Sequence, residues 1–319
     1  MQDGPYGDTG MERVVEPGSS VEQATSVAFL EGPTAHTDGT LYFSDIAANR
    51  LMSLSPDGET KVYRENAGRA NGNVLDLDGD LISCEGAEHG PGGGRRMTRT
   101  NLATGDVTVL TDRFDGKRYN SPNDVVIDQR GRIYFTDPRY GARTDMELDV
   151  EAVYRIDLDG TVHRILSQPE IERPNGLAIS PDDSVLYIID SNHFAGGNRK
   201  VWAFDLSEAG EPANARVVHD FAPGRGGDGM EVDQDGNLYV CAGIMTPRST
   251  NETDKVAPGV YVFSPDGELL GHIPIPQDTI TNCCFGGEDL RTLYVTAGAT
   301  VYTVRVRTPG FHAFPCVTR

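Results

Sequence analysis

At 319 residues the chain is long enough for a large buried core, and its formal charge is −20, from 48 acidic against 28 basic residues. That balance argues against nucleic acid, whose phosphates need clustered Lys and Arg to replace their counterions. It also disfavours anionic membrane surfaces and suits a protein that carries a cation. No apolar run approaches the ~18 residues of a spanning helix.

In chain order, one short strand pattern recurs six times: DGTLYFSD at 38–45, DGDLISCE at 78–85, RGRIYFTD at 130–137, DSVLYIID at 183–190, DGNLYVCA at 235–242 and RTLYVTA at 291–297. Each is a polar turn followed by alternating aliphatic and aromatic residues, the signature of a packed strand. Each is followed by a second strand, from RLMSLSPDG at 50–58 to TVYTVRV at 300–306, and in five copies by a further one such as TKVYRE or ELLGHIPIP. A repeat of this length matches four-stranded propeller blades. The fold expected is therefore all-β, a six-bladed β-propeller with four-stranded antiparallel blades. The sixth copy lacks its last strand, and ERVVEP at 12–17 is expected to supply it, closing the ring and hiding two sheet edges. The domains expected are an N-terminal arm (1–20) closing the last blade, a propeller (21–307) and a C-terminal tail (308–319).

Seven residues before the leading turn of each repeat stands a polar residue: Glu31, Asn71, Asn123, Asn175, Asp228 and Asn282. In a propeller these positions begin the innermost strands, which converge on one mouth of the axial channel. A lone Asn or Asp there reads as a turn residue bonding local backbone. Six at one offset, among Ile, Val and Leu, instead suggest converging oxygen donors. Such a set suits a hard cation such as Ca²⁺, which takes six to eight oxygens, better than zinc, which prefers nitrogen and sulfur. Cys84, Cys241, Cys283, Cys284 and Cys316 form no CxxC pair, so a thiolate zinc site is not expected and reduced, buried thiols are. Met1 to Asp8 shows no basic segment leading into an apolar one. A cytoplasmic location is expected, or a periplasmic one if a leader preceded this start.

The order and spacing of LEGP (30–33), GKRYNSPNDVVID (116–128), IYFTDPRYG (133–141), RPNGLAISPD (173–182), GGDGMEVDQDGNLYV (226–240) and TNCCFGG (281–287) are familiar. From about Val27 to Val306 the sequence resembles the senescence marker protein/gluconolactonase/luciferin-regenerating family, and is most similar to its bacterial gluconolactonases. The resemblance implies one divalent metal, usually Ca²⁺ although Mg²⁺, Mn²⁺ or Zn²⁺ can serve, held by Glu31, Asn123, Asn175 and Asp228. A second, buried calcium, as in the related squid-type diisopropylfluorophosphatase, is not expected, because Cys284 stands where that ligand set has a histidine.

The resemblance also implies a metal-dependent hydrolase that opens sugar lactones to aldonic acids, with a metal-oriented water and Asp228 as general base. A metal this mild fits an activated cyclic ester and fits an amide badly. Asn71, Asn282, His89 and Tyr140 are the expected substrate contacts, and Arg95 and Arg96 are candidates for a sugar acid's carboxylate. The stretch from Gly86 to Gly94, built almost wholly of Gly, Ala and Pro around Glu88 and His89, is expected to tune substrate choice. The partner implied is a small lactone. No GxSxG elbow supports a nucleophilic serine. The alternatives are a phosphotriesterase-like hydrolase on the same site, a strictosidine-synthase-like propeller, and a non-enzymatic binding scaffold.

Overall fold

The computed structural model describes residues 9–26, 29–90, 92–248 and 251–313. Six four-stranded antiparallel sheets form six blades around an axis. The innermost strands are Leu30–Ala35, Ala70–Leu75, Val125–Ile127, Pro174–Ile179, Gly227–Val232 and Ile280–Gly286. The recurrent sequence pattern forms the second strand of every blade. Leu41–Asp45, Leu81–Glu85, Ile133–Asp137 and Leu238–Ala242 are buried along their whole length.

Their alternation follows from the architecture. Successive side chains point to opposite faces of a strand, and here each face meets a neighbouring blade. In blade III, Ile133 and Phe135 pack with Ile82, Cys84 and Met97 of blade II, while Tyr134 packs with Leu177 and Ile188 of blade IV. Tyr239 and Cys241 of blade V pack against Cys283 and Phe285 of blade VI; Leu238 and Val240 pack against blade IV. Each of the six junctions between adjacent blades has its own apolar cluster, so the ring has no uncovered face.

An N-terminal strand does close the ring, but it lies further along the chain than ERVVEP. Glu22–Ser26 pairs antiparallel with Thr300–Arg305 as the outermost strand of blade VI. Residues 12–17 instead contribute to the short helix Met11–Val14 and a single bridge from Val15 to Val306. The reason is physical. Val14 and Val15 are apolar because they pack into the cluster between blades V and VI, whereas the true closing strand exposes Glu22 and Gln23 and half-buries only the small Ala24 and Thr25, so it needs no hydrophobic pattern. Cys84, Cys241, Cys283 and Cys284 are free and buried; Cys316 lies outside the described residues.

At the opposite end of the channel the C-terminal segment folds over the axis. The Phe311 N–H donates to Val232 O at 3.1 Å, and Phe311, His312 and Ala313 help line a cavity of about 50 Å³ with Glu231. Among the described residues no helix is long and apolar enough to cross a membrane.

Candidate active site

The innermost strands reach the channel mouth through loops held by buried acids. The last residue of the repeated second strand is an acid in four blades, and three of these bind the loop that leads into the innermost strand. Asp137 accepts the N–H groups of Asn120 (2.8 Å) and Ser121 (2.7 Å), just ahead of Asn123. Asp190 accepts those of Glu172 (3.0 Å) and Arg173 (2.8 Å), just ahead of Asn175. Asp45 accepts that of Phe29, two residues before Glu31. Charged acceptors of backbone N–H groups are strong and directional, so each fixes the residue that follows.

Blade V ends this strand in Ala242 and uses a different device. The fully buried Arg225 donates to Ile280 O at 2.7 Å and forms an ion pair with Asp228 Oδ2. Tight approach of neighbouring strands completes the mouth: a Cβ on Gly176 would lie 2.4 Å from Asp228 O, and one on Gly229 would lie 2.0 Å from Asn282 Cγ. Only glycine permits either approach.

Glu31, Asn71, Asn123, Asn175, Asp228, His89 and Tyr140 line one cavity of about 440 Å³ at this mouth. Asn282 is not among its lining residues: its Oδ1 accepts the Cys283 N–H at 2.8 Å, and the side chain packs on Gly229 below the mouth. Arg95 and Arg96 are turned away as well. Arg95 donates to Tyr119 O and pairs with Asp145, and Arg96 pairs with Glu85. The glycine-rich stretch does reach the cavity. Glu88 accepts the Tyr140 N–H at 3.2 Å, and the His89 ring lies 4.8 Å from that of Phe29.

The electrostatics are those of crowded, buried carboxylates. The Glu31 carboxyl is held well above the usual range, by burial first and then by the charges of Asp228 and Asp124. Burial also raises Asp228, opposed by Arg225 and by the Asn175 amide, whose Nδ2 donates to Asp228 Oδ1 at 2.8 Å and to the Tyr140 hydroxyl at 2.9 Å. Asp124, on the axis side, is pushed up to about 7 by burial. The side-chain amides of Asn71 and Asn123, 7% and 6% exposed, make no hydrogen bond within the described residues. Buried polar groups are ordinarily satisfied.

Two buried carboxylates beside idle amide oxygens are a donor set that fits a hard divalent cation. Glu31, Asp228, Asn123 and Asn175 are the residues that would hold one. Among the described residues no group of three or more His, Cys, Asp or Glu is arranged for a metal, as expected where half the donors are amides. Sequence reasoning missed Arg225, whose only signal was a basic residue three positions before Asp228. It also missed the orienting role of Asp45, Asp137 and Asp190, although their repetition at the end of the quoted pattern was visible.

Residues 29–299 match the SMP-30/Gluconolactonase/LRE-like region. The chain belongs to this family. A gluconolactonase of Zymomonas mobilis is 32% identical over 314 residues, covering 90% of this chain and 81% of that protein. A pentonolactonase of Haloferax volcanii is 26% identical, covering 85% and 82%. The solved structure of a gluconolactonase from Xanthomonas campestris superposes with a TM-score of 0.79 at 31% identity, covering 94% and 93%. At family level the SMP-30/gluconolactonase members support hydrolysis of sugar lactones.

The far end of the channel carries a pH signature. The half-buried Glu231 carboxyl is pushed up to about 8, by burial first and by Asp124 second. Its folded pKa exceeds its unfolded one, so its contribution to stability is complete at low pH and is lost as pH rises through 8. The buried His272 and the half-buried His312, both lowered to about 4 by loss of solvent, act oppositely, costing stability as pH falls from ~6.5 to ~4. Between pH 6.5 and 8 only the carboxyl effect operates among these three. Glu231 is therefore expected to withdraw ~1–2 kcal/mol over that interval. Denaturant melts of Glu231→Gln should show a flatter profile there; an unchanged slope would refute the assignment.

Proposed function

We propose that the protein is a metal-dependent sugar lactonase, opening aldonolactones to aldonic acids at the Glu31–Asp228 cavity. The observation that carries the reading is the pair of buried carboxylates, Glu31 and Asp228, gathered with the amides of Asn123 and Asn175 at the mouth of a cavity sized for a sugar. A binding scaffold gains nothing from burying two acids close enough to raise one another's pKa, since each costs free energy. The names of the related gluconolactonases and pentonolactonase support the substrate class, and relatives named regucalcin, with a solved calcium-binding regucalcin, support Ca²⁺ as the ion.

Bound at Glu31, Asn123, Asn175 and Asp228, a divalent ion supplies Lewis-acid polarisation of the lactone carbonyl. Asp228 takes the proton of the attacking water. Arg225 holds its Oδ2, which restricts the carboxylate to one orientation. As the ring C–O bond breaks, that proton returns to the departing alkoxide, and the product is the hydroxy acid. Tyr140, fixed through Asn175 and Glu88, walls the cavity on the blade III side, and Asn71 offers its idle amide to sugar hydroxyls.

A pH-stat assay of glucono- and pentono-lactones beside a fluorophosphate tests the reading. Lactone turnover is expected to dominate by ~10²-fold or more, and the reverse ranking would establish the phosphotriesterase alternative. In the same assay His89→Ala should raise KM several-fold while kcat stays within a factor of ~3, because the ring touches the cavity and not the carboxylates. A ~10²-fold fall in kcat would instead mark His89 as an acid or base.

A further inference from the structure

Four acids line the active-site cavity, Glu31, Glu88, Asp228 and Glu252, against two arginines, Arg225 and Arg248. Arg225 is committed, since it is buried, pairs with Asp228 and donates to Ile280 O. Arg248 is not. It is exposed, enters no ion pair among the described residues, and donates to the Thr279 hydroxyl, which lines the same cavity. A guanidinium carries five N–H donors, so most of this one's capacity remains for a ligand.

Its position is built into the fold. Arg248 follows the second strand of blade V, and Asp278 ties that stretch to blade VI by accepting the N–H groups of Met245 at 3.1 Å, Thr246 at 3.2 Å and Thr279 at 3.0 Å. Thr279 has a φ of +61°, an uncommon conformation for a β-branched residue. Its carbonyl accepts the Gly298 N–H at 2.8 Å, and Gly298 O accepts that of Leu30 at 2.8 Å, one residue before Glu31. Backbone strain of this kind persists only where the surroundings over-determine it, and here it aims the hydroxyl that receives Arg248. At the Asp228 carboxyl, burial is opposed by Arg225, by Asn175 and by Arg248, which places Arg248 on the Asp228 side of the cavity.

We infer that Arg248 is a further catalytic residue of the lactonase, its guanidinium receiving the carboxylate that forms at the acyl carbon as the ring opens. This rests on the lactonase reading and deepens it. Water adds to the lactone carbonyl, Asp228 takes its proton, the ring C–O bond breaks and the departing alkoxide takes that proton back. The new carboxyl then ionises at neutral pH and releases one proton. Its two oxygens are the former carbonyl oxygen and that of the attacking water, so negative charge develops beside Asp228, in a cavity already lined by acids. Beyond any ion held by Glu31 and Asp228, Arg248 is the cation that the chain itself offers there. Its planar fork matches both oxygens of a carboxylate. The neutral lactone lacks that charge, so the contact strengthens as reaction proceeds and acts on kcat more than on substrate binding.

The test uses calcium-supplied wild-type protein, Arg248→Met and Arg248→Lys, with glucono-δ-lactone as substrate. In Arg248→Met, kcat is expected to fall ~30-fold while KM changes less than ~3-fold, and Arg248→Lys to recover part of the loss. Calorimetry with gluconate, and with glucitol, which has a hydroxyl in place of the carboxylate, supplies a readout free of turnover. Gluconate binding should weaken at least ~10-fold in Arg248→Met and glucitol binding less than ~2-fold. Calcium affinity should hold or rise, because a cation is removed, and the melting temperature should stay within ~2 °C, because the side chain is exposed. Gluconate binding that depends on Arg248 in a protein without lactone turnover supports the contact, and then the lactonase reading alone fails. Gluconate binding unchanged in Arg248→Met overturns the inference, while lactone turnover leaves that reading intact. Equal weakening of gluconate and glucitol would assign Arg248 to hydroxyl recognition, and a fall in calcium affinity or melting temperature would assign it to upkeep of the site; either overturns the inference.

Discussion

Asp228→Asn is expected to lower kcat for aldonolactone hydrolysis by ~10³-fold, the scale of a lost general base. The substitution keeps the size of the side chain and its acceptor oxygen, so Asn175 retains a partner. It removes the charge that faces Arg225, which still donates to Ile280 O. Breaking a buried pair from one side costs ~3–5 kcal/mol in the worst case. A thermal melt must therefore accompany the kinetics, and Arg225→Met/Asp228→Asn serves as the compensated control. Calcium affinity should fall together with kcat, because one carboxylate serves both roles. Near-normal turnover in a folded Asp228→Asn protein would remove Asp228 from the chemistry.

Chelator treatment is expected to reduce activity by a similar factor, with recovery on titrating Ca²⁺, Mg²⁺, Mn²⁺ or Zn²⁺ back. Glu31 is the second carboxylate of the proposed donor set, and its raised pKa reflects burial and the charges of Asp228 and Asp124, offset only in part by the Gly32 N–H and Arg225. Glu31→Gln should shift the half-saturating ion concentration upward by ~10–100-fold, since a charged oxygen ligand is replaced by a neutral one. The same variant should melt no lower than wild type in the stripped state, because it relieves repulsion among buried acids. Full activity after exhaustive chelation, confirmed by metal analysis, would refute metal dependence for this protein.

How much of this was legible beforehand depends on where each residue sits in a blade. The second strands were plain in the sequence because both faces are buried, so DGTLYFSD and RGRIYFTD keep an alternating pattern with no solvent side. The closing strand, EQATS, was hidden because an outermost strand has little to bury, and the apolar ERVVEP drew attention although its valines pack into the cluster between two blades. The cavity residues were found through a fixed offset from the repeat. That offset placed Glu31, Asn71, Asn123, Asn175 and Asp228 on one cavity and failed for Asn282, which the close approach of Gly229 draws below the mouth.

The sequence by itself determined the number of blades, the second strand of each and five of the six oxygen-bearing residues at the mouth, because each is written into short-range periodicity that the repeats reproduce. Only the tertiary structure decided which charges meet. Arg225 reaches Asp228 through the turn into blade V, and Arg95 turns to Asp145 fifty positions along the chain. A long side chain takes its partner from whatever the neighbouring blade presents, and that choice depends on packing across the ring, which no local pattern encodes.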